Sequence, residues 1–331
     1  RSSAASDVYK RQAKMVGGDF MALERVLRDG PPVDGRAGTE HYFELTNPDD
    51  IADWLSGTEP LGVDIEWEKS GRLACITMSD GPGTGVMVRS DPQLLAAVDE
   101  GLQEHEVVTW NGPGDLMKLR EYGVDFPIAH DGMMAAYVLQ LPSQGLKENA
   151  RELLGMQMDN FKDLFGNDFD SNPTEQLRYA CRDADATLRA IQPLLEDVDA
   201  AGLRAVYELG IRTFPIAIKM MEHGVLVDRE RLTELDAWLI EKVAAAEQIF
   251  ADAGGADVLV TSPKQLSKLL FETLKLPLSA TRKMPSGIWC TDKTVLAKLE
   301  GRHPIIKAIG EHRTYKRMLA NYVTPMPKFI G

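Results

Sequence analysis

Apolar and polar positions alternate with period two in several short stretches of the first 110 residues, and recur every three to four residues through most of the remainder. "LGVDIEW" (61–67) is the clearest alternating stretch and predicts a strand with Val63, Ile65 and Trp67 on one face and Asp64 and Glu66 on the other. "HYFELT" (41–46) and "EVVTW" (106–110) predict further strands, and "RLACITMS" and "GVMVRS" flank the turn "DGPGT" as a hairpin. Helical periods run through 47–57, closed by Gly57, and through about 91–104. Others start near Pro113 and Asp131 and cover 145–155 and 174–199. Antiparallel strands followed by strands alternating with helices imply an α/β fold, a mixed sheet flanked by helices. From about residue 202 the period is helical throughout, at 203–223, 228–253, 263–274, 291–300 and 302–320. The expected organisation is therefore a segment 1–40 ending in a Pro/Gly linker (29–40), an α/β domain at 41–200 and an all-helical region at 201–331. The polar start is read as disordered or extraneous, with Met15 a candidate true start, and the chain as a fragment.

Charge divides the chain in the same place. Residues 1–200 hold 18 Lys and Arg against 36 Asp and Glu, whereas 201–331 hold 19 against 14. The overall net charge of −13 thus hides a basic end suited to phosphates. The 3 cysteines, Cys75, Cys181 and Cys290, have no metal-ligand spacing and read as buried thiols in a reducing cytosol. No apolar run reaches the roughly 20 residues that span a bilayer, so no membrane partner is expected.

The acids of the first region are unevenly placed. Asp64 and Glu66 point together because residues i and i+2 of a strand share a face. In "TWNGPGDL" (109–116) Asn111 reads as a helix N-cap, with Pro113 and Asp115 in the first turn. In "YACRDADAT" (179–187) Tyr179 and Asp183 stand one helical turn apart on one face. Asp185 falls about 200° round the helix from Asp183 and cannot share that face.

Together "VDIEW", "NGPGD" and "YACRD" resemble the three motifs of the tyrosine branch of the DEDD 3′→5′ exonucleases, in the family's order. "GVDFPIAHDGMMAAYVLQ" resembles the segment after the second motif. The later stretches "PIAIKMMEHGVLVD", "TSPKQLSKLLFETLKLP" and the run from Gly287 to Val323 resemble the opening and thumb of family A, DNA polymerase I-type enzymes. The resemblance covers about 41–330 and implies a ribonuclease H-like fold followed by a helical thumb. It departs from the family at Gly114, Trp67 and Ser70, where the family often has an aromatic, a threonine and a leucine.

What the resemblance implies is a proofreading 3′→5′ exonuclease with two divalent ions, Mg²⁺ or Mn²⁺. Asp64, Glu66 and Asp183 would hold the first, Asp64 and Asp115 the second, and Tyr179 would orient the attacking water. Asn111 caps its helix or meets the terminal nucleotide; Trp67 lies beside the same 3′ end. Phe161 and Phe165 pack inward or stack on a base. Arg282, Lys283, Arg313, Lys316 and Arg317 would meet backbone phosphates. The expected partners of this monomer are a single-stranded DNA 3′ end at the acids and a primer–template duplex at the thumb. No palm segment is recognised, so no nucleotide incorporation is expected from this chain alone. The alternatives are a stand-alone exonuclease of the ribonuclease D or Werner type and a non-catalytic nucleic-acid-binding module.

Overall fold

The computed structural model describes residues 40–330 and Leu27; the expectations for the rest of 1–39 lie outside the described residues. Two compact units are present, one running to Gly224 and the other from Val225.

The first unit is built on a six-stranded sheet: β1 (His41–Leu45), β2 (Leu61–Trp67), β3 (Leu73–Ser79), β4 (Thr84–Arg89), β5 (Val107–Thr109) and β6 (Ile128–Asp131). Their spatial order is β1-β4-β3-β2-β5-β6. The expected β3–β4 hairpin is antiparallel, β3 runs antiparallel to β2, and the β1–β4, β2–β5 and β5–β6 pairs are parallel. β2 is thus central, with a neighbour on either side. The strand β6 is an addition to the sequence reading, which ran "IAHD" straight into a helix; its four residues are too few to show a period.

Helices cover the sheet: α1 (Pro48–Trp54), α2 (Pro92–Leu102), α3 (Gly112–Leu119), α4 (Gly132–Val138), α5 (Leu146–Leu154), α6 (Phe161–Phe165), α7 (Pro173–Ala200) and α8 (Arg204–His223). One apolar core lies between β2 to β5 and α1 to α3, around Ile51, Ile76, Val88, Val98 and Leu119, all buried. A second gathers Trp110, just after β5, with Ala135, Leu194 and Tyr207 from α4, α7 and α8. The change of pattern near residue 200 is one of secondary structure, while the compact unit continues to Gly224. Tyr207, Phe214 and Ile218 account for the difference, because α8 buries them in this unit.

The second unit contains α9 (Arg229–Asp252), α10 (Pro263–Ser267), α11 (Lys293–Lys298) and α12 (Pro304–Met318) around a core of Phe250, Leu266, Leu270, Leu299 and Ile309. π-helical turns continue α10 over Lys268–Thr273 and α12 over Leu319–Val323.

Candidate active site

Asp64 and Glu66 lie on one face of β2, and α7 crosses that face. What allows the helix so close is Gly62. A β-carbon there would stand 2.3 Å from the Ala184 carbonyl oxygen and 2.8 Å from Leu188 Cβ, so the strand must be bare two residues before Asp64. The buried Thr77 hydroxyl ties the same place together, within 3.1 Å of Ala180 O on α7 and 3.3 Å of Asp64 O on β2. Helical spacing then brings Tyr179 and Asp183 over the two strand acids.

Asp64, Glu66 and Asp183 each turn one carboxylate oxygen into a group spanning no more than 4.8 Å. At such separations two unit charges repel by about 3 kcal/mol at an effective dielectric of ~20. Burial first, then the charges of Glu66, Asp183 and Asp115, holds the Asp64 carboxyl well above its ordinary range. The same causes, burial and then Asp183, push Glu66 up to about 8. Burial raises Asp183 to about 6 against the opposing pull of Lys147 and of a hydrogen bond from Tyr179. Asp115 stands outside the close triad, but its charge acts on both Asp64 and Glu66, and burial beside Asp131 raises it to about 7. The structure therefore brings three acids to one place and leaves them mutually unfavourable when ionised, with the charge of Asp115 acting on two of them. Hard carboxylate oxygens in such an array fit divalent cations.

The second motif is held differently from the sequence expectation. Asn111 does not cap α3: its backbone is left-handed, with φ 70°, and its side chain makes no capping bond. The cap comes from Asp131, nearly fully buried at the end of β6. One Asp131 oxygen accepts the Gly112 N–H at 2.8 Å and the Thr109 hydroxyl at 2.9 Å, and the other accepts the Met134 N–H at 2.8 Å. The Asp131 N–H in turn donates to the Tyr207 hydroxyl at 3.0 Å. One carboxylate thus serves the first turns of α3, which carries Asp115, and of α4. No local pattern announces this, since Asp131 and Gly112 are 19 residues apart.

Tyr179 is buried, and burial followed by the negative charge of Asp183 pushes its phenol far above the ordinary tyrosine range. It stays protonated and acts as a hydrogen-bond donor, which favours positioning over base chemistry. Lys147, on α5, escaped the sequence reading: its Nζ lies 2.8 Å from the Tyr179 hydroxyl and 3.9 Å from Asp183 Oδ2.

The aromatic and basic residues divide. Phe165 is 3% exposed and meets Tyr179 edge-on with ring centroids 5.2 Å apart, so the idea of a base stacking on Phe165 is corrected: its faces are used by the core. Phe161 is half-buried in the same aromatic cluster, against Phe165, Phe169 and Tyr179. Trp67 packs on the first core, next to a bulge after Glu66.

In the second unit Arg282 pairs with Asp292 at 3.1 Å, and Lys283 lies 5.5 Å from the Trp289 ring centre. Arg313 is half-buried and directs its guanidinium to the carbonyls of Thr291 (3.2 Å) and Val260 (3.4 Å). Two of its donors are thus engaged by the chain itself, while the side chain also lines a cavity. Lys316 and Arg317 are exposed but face different cavities, Arg317 joining Arg313, Lys293 and Lys307 around one of about 890 Å³.

A mixed α/β sheet in this strand order, with carboxylates gathered between its central strand and one long helix, is a ribonuclease H-like nuclease fold. Comparison with known proteins agrees. Residues 42–199 match the family model described as 3′-5′ exonuclease, and residues 229–331 match that described as DNA polymerase family A. DNA polymerase I of Synechocystis sp. is 29% identical over 88% of this chain and 31% of its own length. DNA polymerase I of Rhizobium leguminosarum is 30% identical over 72% of this chain and 24% of its own. Among solved structures, the polymerase domain of Pol1 from M. smegmatis, complexed with DNA primer–template and dNTP, has the same fold. It aligns at TM-score 0.66 and 19% identity, over 83% of this chain and 48% of that one. The chain is thus similar to family A DNA polymerases, over a 3′-5′ exonuclease domain and a segment of the polymerase domain. It spans about a third or less of the curated relatives it matches. Among the described residues, no helix is long and apolar enough to cross a membrane.

Proposed function

We propose that the first unit removes the 3′-terminal nucleotide of DNA by hydrolysing its phosphodiester and releasing a nucleoside monophosphate, as the proofreading half of a polymerase. The observation that carries this reading is the meeting of Asp64, Glu66 and Asp183 within 4.8 Å, with Asp115 close enough to act on two of them. Asp64, Glu66 and Asp183 would hold one divalent cation, and Asp64 and Asp115 a second. When bound, such ions supply Lewis acidity toward the phosphate and acidify water. The chain's own part is the rest. The carboxylates hold the charge that recruits the cations. Tyr179 donates its hydroxyl proton and orients its acceptor, Asp183 in this state and the attacking water during reaction. The exposed Lys316 and Arg317 support a duplex-binding role for the second unit, with salt-sensitive contacts indifferent to sequence.

Digestion of 3′-labelled single-stranded DNA in Mg²⁺ or Mn²⁺ tests the proposal. Wild type should release mononucleotides, and Asp64→Ala and Asp183→Ala should each lose about 10³-fold in rate, the several kcal/mol attributed to metal-assisted charge stabilisation. No release by wild type, or equal release by the variants, would refute it. The matching RNA oligonucleotide, run in parallel, separates this reading from an RNA-directed exonuclease.

A further inference from the structure

The cation nearest the acids is one the chain carries itself. Lys147 is the second residue of α5, a helix contributing none of the four acids. Its ammonium reaches the Tyr179 hydroxyl at 2.8 Å, lies 4.4 Å from that ring's centre, approaches Asp183 Oδ2 at 3.9 Å and donates to the main-chain carbonyl of Asp159. The side chain is 25% exposed, enough for solvent to reach it without releasing it.

The donor inventory gives this contact a direction. An ammonium has three protons and no acceptor, whereas a phenol has one proton and accepts through oxygen. Between Lys147 and Tyr179 the lysine must donate. The phenol oxygen is then committed as an acceptor, which leaves its single proton for Asp183, one turn further along the same face of α7. The contact with Asp159 holds the lysine from the loop between α5 and α6, so its position does not depend on the acids alone.

We propose that Lys147 is a built-in counter-cation of the acid site and a positioning residue for Tyr179. It points the phenol proton toward the reacting centre and, through its charge beside Asp183, competes with the incoming divalent cation. The inference rests on the nuclease reading above and deepens it. It separates two effects that ordinary structural damage would move together. Removing the ammonium takes away a rival positive charge, so the empty acids should hold a divalent cation more tightly. It also lets the phenol hydroxyl turn, so the chemical step should slow.

The test compares Lys147→Met, Lys147→Gln and Lys147→Arg with wild type. Mn²⁺ is titrated calorimetrically into each metal-free protein without nucleic acid, and kcat and KM are measured on 3′-labelled single-stranded DNA at saturating Mn²⁺. Met and Gln should tighten Mn²⁺ binding about tenfold. They should lower kcat about 10- to 100-fold, the range found for outer partners of metal sites, with KM little changed. Arg should keep both values near wild type. Unchanged kcat in Met and Gln, or Mn²⁺ binding that is unaltered or weaker in both, overturns the assignment. A wild type that binds no Mn²⁺ would instead sink the metal-site reading, leaving the two failures distinguishable.

Discussion

Asp64, Glu66 and Asp183 are gathered within 4.8 Å on a strand and a helix pressed together at Gly62, whereas Lys316 and Arg317 stand exposed on one helix and face different cavities. The first group costs stability in the absence of cations and is held by tertiary packing. The second costs the fold little and stands exposed on its helix. Arg313 shows what separates the two kinds of charge: once half-buried it is claimed by the carbonyls of Thr291 and Val260 and becomes part of the fold.

This contrast is best broken at Gly62. A Gly62→Ala change forces β2 and α7 apart at a backbone contact that cannot turn away. We expect a loss of about 3 kcal/mol, the upper end for overpacking, with nuclease activity lost in the molecules that still fold. An unchanged melting temperature would show that close approach does not build the site. Next in size is Asp131→Ala, which strands the buried N–H groups of Gly112 and Met134. It should cost about 2 kcal/mol for each donor left unpaired and lower kcat through Asp115, measured by denaturant unfolding and by digestion. Smallest is Lys316→Ala, which should leave the melting temperature alone and reduce the salt dependence of duplex binding by about one phosphate contact. Arg313→Ala should do the reverse, lowering the melting temperature and hardly touching the salt slope. If Lys316→Ala and Arg313→Ala behave alike in both assays, the distinction between a surface and a structural cation fails.

Local spacing made much of this legible. Period two placed Asp64 and Glu66 on one face of β2, and one helical turn placed Tyr179 and Asp183 together on α7. What stayed hidden depends on residues distant in sequence. Gly62 matters only because Ala184 arrives above it, Asp131 caps a helix 19 residues earlier, and Lys147 meets Tyr179 across 32. Asn111 misled because its residue type suits a cap, while its left-handed backbone and the arrival of Asp131 gave the cap to another side chain. Phe161 and Phe165 have a spacing equally consistent with an inner or an outer face, and only the packing of Phe169 and Tyr179 decides for Phe165.

The central claim is that the acids form one cluster waiting for cations, and thermal melting at two pH values tests it. The carboxyls of Asp183, Asp115 and Glu66 are raised to about 6, 7 and 8, chiefly by burial. For a raised carboxyl, the stabilisation from binding its proton is full below the unfolded value of about 4 and is lost as pH climbs through the folded one. The penalty is therefore greatest near pH 8 and absent near pH 4. In EDTA at pH 8, Asp64→Asn should melt above wild type, with the gap narrowing toward pH 5, and Mn²⁺ should raise wild type more than the variant. An Asp64→Asn protein that melts at or below wild type at pH 8, with Mn²⁺ shifting neither, would contradict the account.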